Sequence, residues 1–195
     1  MKNHVVVVLG LIAAMSVAGA AQSNLFQGEV AVHVAHAGVE TEISRPLLVP
    51  SKPVDIELPS AANIALDERM LFDMVNQKRA ENGLKSLSWS DDLETLAHRH
   101  SQDMADNKYF SHRGLDGSKV SDRADRCGIR SWRAIGENIA YNRGYKEPME
   151  KAVELWMEST AHRLNLLDGQ WRESAIGVAI ASDGSYYFTQ VFLRK

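Results

Sequence analysis

Three short strings carry ionisable side chains that could do chemistry, the first and last beside aromatic ones: YFSH at 109–112, GEN at 136–138 and WMESTAHRLNLL at 156–167. An imidazole oriented by a carboxylate can take a proton from water, so His112 and His162 with Glu137 form a candidate hydrolytic set if a loop tip, a strand end and a helix end share one cleft. Ser159 lies three residues before His162, a spacing that puts two side chains on one helix face and suggests a Ser-His nucleophile pair. No nucleophile-elbow motif surrounds it. Each residue also has an architectural reading, since an aromatic-flanked histidine pins a loop and His162 can tie a helix end to the NLL that follows.

These strings need elements to carry them. From Asn63 apolar residues recur at helical spacing (Leu66, Met70, Leu71, Met74, Val75), and Asn82-Gly83 supplies a stop. A second helix is expected from Asp91, capped by Asp91 with Glu94 completing a capping box, with Leu93, Leu96, Ala97, His100 and Met104 on its buried stripe. Between Tyr109 and Trp132 no period is sustained, except for a short helix around 120–126. A structured loop of that length is often functional. A third helix starts after Glu147 with Pro148 in its first turn and Met149, Ala152, Val153 and Trp156 inward. Residues 175–195 read as a β-hairpin turning at Ser182-Asp183-Gly184, with further short strands at 87–89 and 138–141. Helices alternating with antiparallel strands imply an α/β class, a three-layer α/β/α sandwich around a small, mostly antiparallel sheet.

The ends place the domain. Residues 1–21 have a basic start at Lys2, an apolar run and small residues near Ala20-Ala21, the layout of a secretory signal peptide. Residues 22–62 form an acidic leader holding four of the five prolines (46, 50, 53, 59), with one edge strand expected in the alternating GEVAVHVAHAG. Residues 63–195 form the domain. A formal charge of −3 gives no electrostatic case for nucleic acid. Cys127 is the single cysteine, so no intramolecular disulfide can form, and it is expected to be a buried small hydrophobe.

Six motifs in order, LFDMVNQKRAENGLKSLSWSDDLETLAHRHSQDMADNKYFSH, DG at 116–117, GENIA at 136–140, AVELWMESTAHRLNLL at 152–167, IGVAIA at 176–181 and YFTQVF at 187–192, resemble the CAP superfamily of SCP-like extracellular proteins, in its bacterial single-domain form. The resemblance covers about residues 66–193. It implies the same sandwich with a large cleft and, in eukaryotic members, a tetrad of two histidines and two glutamates that can hold a divalent metal such as zinc. Carried over by motif, the tetrad falls on His112, Glu137, Ser159 and Tyr187, so two of four ligands are changed. Serine is a poor neutral zinc ligand, and Glu158 points about 100° away around the helix. Only His112 and Glu137 remain as metal ligands, with His162 a third if its ring turns inward, and Arg163 follows it in the bacterial string. The expectation is therefore a metal-free, hydrogen-bonded His112–Glu137 pair.

Three functions follow from the resemblance: an exported cleft module binding a lipid, peptide or cell-wall fragment, with Tyr109, Ser159, Arg163 and Tyr187 lining or supporting the cleft; a protease-like hydrolase using His112, Glu137 and His162; or a structural protein of the envelope. The aromatic residues Phe110, Trp132, Tyr141 and Phe188 add apolar lining or core.

Overall fold

The computed structural model describes the strand at residues 29–36 and the continuous stretch 60–195. The proposed signal segment and most of the acidic leader lie outside the described residues. The elements run β1 (Glu29–His36), α1 (Ala61–Glu81), β2 (Ser88–Trp89), α2 (Asp91–Asn107), α3 (Val120–Arg126), β3 (Ala134–Arg143), α4 (Pro148–Glu158), α5 (Thr160–Leu166), β4 (Glu173–Ile180) and β5 (Ser185–Arg194). The strand order is β1-β3-β5-β4-β2, antiparallel throughout except for the two-residue parallel pairing of β2 with β4.

Strand alternation divides the core into two layers. On one face Ala134, Ala140, Ile176, Val178, Phe188 and Phe192 meet α1, α4 and α5 through Leu71, Val75, Val153, Trp156 and Leu166. On the other, Ile135, Ala175, Val191 and Leu193 meet α2 and α3 through Leu93, Leu96, Ala97 and Ala124. Ile139, Tyr141, Ala179 and Tyr187 extend that second layer to Met104 and Phe110. The parity of each strand residue therefore decides which helices it can touch.

Helix α2 lies close to β4 because Gly177 has no Cβ: one built there would stand 2.1 Å from the His98 nitrogen. The Ser101 hydroxyl in the same interface lies 2.9 Å from the Gly177 carbonyl and 2.8 Å from the Thr189 hydroxyl. The β4 backbone is also tied to α1, where the Glu68 carboxylate accepts the Val178 N–H at 2.9 Å.

Two expectations need local correction. The cap of α2 is Ser90 rather than Asp91, and no side chain bonds there. Asp91 is the first helical residue, and its Oδ1 is drawn outward to accept from Arg69 at 3.2 Å and the Trp89 indole at 2.9 Å. The string WMESTAHRLNLL is not one helix: Ser159 is extended (ψ 120°), ending α4 and opening α5. Ser159 and His162 thus do not share consecutive turns of a continuous helix.

Candidate functional site

Glu137 is the hub. It projects from the middle of β3 toward the α2/α3 layer and is fully buried, as is His112 in the loop before α3. His112 Nδ1 and Glu137 Oε1 are 2.7 Å apart, and the Arg123 guanidinium from α3 donates to Oε2 at 2.5 Å. Arg123 also donates to the carbonyls of His112 at 2.9 Å and Ser118 at 3.0 Å, so one side chain fixes both the carboxylate and the loop that carries the histidine. The expected His112–Glu137 pair is thus present in the geometry. Burial opposes ionisation of Glu137, but Arg123 and the neighbouring His100 and His112 rings more than offset it and hold the carboxyl well below the usual range.

The fourth member is His100, on α2, with Nε2 4.0 Å from Glu137 Oε1 and 3.0 Å from the Ser111 carbonyl. A carbonyl only accepts, so Nε2 carries the hydrogen and Nδ1 presents a lone pair. Burial pushes the His100 imidazole down to about 4, against the attraction of Glu137 and with help from Arg123 and His112. The unfolded ring binds a proton near pH 6.5 while the folded one does not until about 4, so the contribution of this neutral ring is complete above 6.5 and is lost as pH falls toward 4. Chemical unfolding should therefore show a loss on the order of 3 kcal/mol over that interval, at about 1.4 kcal/mol per pH unit, and His100→Gln should flatten it. A profile identical in the variant would show that another group titrates.

His162 does not join this cluster. Its neighbour in the fold is Asn138, whose Nδ2 donates to the His162 carbonyl at 3.2 Å, and Asn138 points to the opposite face of the sheet from Glu137. Two residues adjacent on a strand cannot face the same helices, so the expected convergence of His112, Glu137 and His162 fails by one position of register. Arg163 is exposed and reaches Asn82 Oδ1 at 3.3 Å, and Ser159 belongs to the α4/α5 junction. Tyr187 is on the Glu137 face but is buried against Tyr141, ring centroids 5.0 Å apart. Tyr109 is half-buried and its hydroxyl donates to Asp103. Trp156 and Phe188 are core.

The tetrad zinc implied by the resemblance does not fit these residues. Both Glu137 oxygens are committed, to His112 and Arg123, and a guanidinium already supplies the positive charge a metal would bring. Among the described residues the three donor atoms close enough to share an ion belong to Glu68, Glu94 and His98, away from His112 and Glu137.

In front of the network lies an open cavity of about 470 Å³, lined by residues that include Leu96, Arg99, His100, Leu115, Arg123 and Cys127. Most of its outer wall comes from the loop before α3 and from α3 itself with its Cys127 cap. Cys127 is exposed rather than buried: it caps α3 just before Gly128 turns the chain at φ 78°, where the side chain has left the helix's packed face. Sequence reasoning overlooked Arg99, His100 and Arg123. His100 did leave a signal, an ionisable residue on an otherwise apolar stripe, whereas Arg123 is one of several arginines around a short helix and nothing local marks it out.

Residues 72–192 match the model of the cysteine-rich secretory protein family, CAP. The chain is 36% identical over 128 residues to the uncharacterized membrane protein YlbC of Bacillus subtilis (strain 168), covering 66% of this chain and 34% of that protein. It is 35% identical over 134 residues to the uncharacterized protein YkwD of the same organism, covering 69% and 49%. An extracellular protein containing an SCP domain from Bacillus anthracis str. Ames superposes with a TM-score of 0.59 at 28% identity, covering 72% of this chain and 45% of that one. The chain thus spans half or less of each of these relatives.

Proposed function

Since the chain belongs to the cysteine-rich secretory protein (CAP) family, we propose that it is an exported binding module whose 63–195 domain receives a ligand in the cavity before Arg123 and His100. Export rests on the signal-like residues 1–21, with 22–62 as an acidic leader to the domain. The observation that carries the binding reading is the state of the His112–Glu137 pair. Both side chains are fully buried, and the carboxylate is saturated by an imidazole and a guanidinium. A general base must reach the proton it removes, whereas a buried ion network is suited to holding a cavity wall in one shape. The ligand classes in play are a lipid, a peptide and a cell-wall fragment.

Leu115 is 68% exposed at the cavity wall, an apolar surface available to a ligand. Native mass spectrometry with a fatty acid, an acylated dipeptide and soluble cell-wall fragments should give a one-to-one adduct with ligand of unchanged mass. Leu115→Ala should weaken that adduct about tenfold, the worth of burying most of a leucine side chain. Cleaved ligand in a single-turnover mixture, lost in His112→Ala, would replace this reading with the hydrolase.

A further inference from the structure

Away from the Glu137 network, a second cluster brings metal-ligating side chains together. Glu94 and His98 stand four residues apart on α2, a spacing that sets both on one helix face, and Glu68 of α1 meets them there. One ligand atom from each of the three lies within 4.8 Å of the other two. The backbone fixes this meeting. Helix α2 sits directly on β4 at Gly177, where an added Cβ would strike the His98 nitrogen, and the Glu68 carboxylate is anchored by the Val178 N–H at 2.9 Å. Metal ligands are commonly oriented by such an outer hydrogen bond.

The charges of this cluster are not balanced within the protein. Glu68 is only 3% exposed; its Oε1 meets His98 Nδ1 at 2.7 Å and the Val178 N–H, while Oε2 has no hydrogen-bond partner among the described residues. Glu94 is half-buried, and its carboxylate makes neither a hydrogen bond nor an ion pair among the described residues. Arg69, next to Glu68 on α1, is turned to Asp91 and lies over the Trp89 ring. Two carboxylates thus share one imidazole, and a carboxylate oxygen buried without a partner is costly. That donor set asks for a cation.

We propose that Glu68, Glu94 and His98 bind a divalent transition-metal ion that joins α1 to α2 beside β4. Two carboxylates and an imidazole suit zinc, whereas calcium and magnesium favour all-oxygen sites. His98 is the way in, its side chain 37% exposed. On binding, the ion takes the place of the proton between His98 Nδ1 and Glu68, and that proton leaves to solvent. The site shares no residue with the His112–Glu137 pair and stands whether or not the cavity receives a ligand.

The test is isothermal titration of zinc chloride into the full chain, stripped with EDTA and desalted. One equivalent should bind, and calcium chloride should give no heat. Glu94→Gln and His98→Gln should each weaken zinc about 100-fold, the upper end of what even an outer partner of a ligand costs. Glu94→Gln should keep the unfolding midpoint of the parent in EDTA, because that carboxylate makes no bond among the described residues. Nitrogen-15 spectra of the imidazoles should show His98 shifting with one equivalent of zinc while His112 stays in place. Zinc binding that survives in both variants, or a shift at His112 in place of His98, overturns the proposal. Absence of binding overturns it too and leaves His98 and Glu68 as a salt bridge alone. Calcium binding as tightly as zinc would overturn the transition-metal assignment.

Discussion

Replacing Arg123 with methionine should destabilise the domain by about 3 to 5 kcal/mol, because it leaves the Glu137 carboxylate buried beside imidazoles that cannot replace a fixed cation. Two carbonyls, of His112 and Ser118, lose their donor in the same step. The double variant Arg123→Met with Glu137→Gln should regain a large part of the loss, since the uncompensated charge is gone. Equilibrium unfolding of the four species closes the cycle. If the single and double variants fall equally, the ion pair is not what holds the loop. The loss in Arg123→Met should be fully present above pH 4.5, where the carboxyl ionises in the unfolded chain, and should shrink as pH falls below that value toward the depressed folded one.

Trp156→Ala should cost a similar 3 to 5 kcal/mol, for a different reason. The indole is fully buried between α4 and the sheet, in the layer with Val153, Ile176 and Phe188. Its Nε1 lacks a hydrogen-bond partner, so Trp156→Phe should recover much of that loss: it restores most of the apolar contact and removes an unsatisfied donor. Urea midpoints for the two variants are the measurement. A phenylalanine variant as weak as the alanine one would show that ring volume, rather than contact with the sheet, dominates. Loss on this scale is comparable with the whole stability of many domains.

The layers were legible because they depend on period and sign alone. The stripe of α2, the Pro148 start of α4 and the turn before Gly184 each follow from local chemistry, and the structure has them within a residue or two. The site was legible only in part. His112 and Glu137 stand in recognisable strings, but their partner Arg123 is set by how α3 docks, a non-local fact. The misplacement of His162 has the same origin: Glu137 and Asn138 are neighbours in sequence, and only the sheet's parity separates the helices they touch.

The Glu68–Val178 bond carries a consequence beyond anchoring α1. Beyond the short β2 pairing, the outer margin of β4 would offer free N–H groups to any passing strand, and Glu68 covers one of them with a charged side chain. At the opposite margin β1 runs along β3 through eight registered residues. An open sheet margin invites edge-to-edge aggregation, and a buried acid bonded to one of its N–H groups is a way to blunt it. Glu68→Val would keep that position buried, yet leave the Val178 N–H unmatched, an open edge that favours self-association in size-exclusion chromatography.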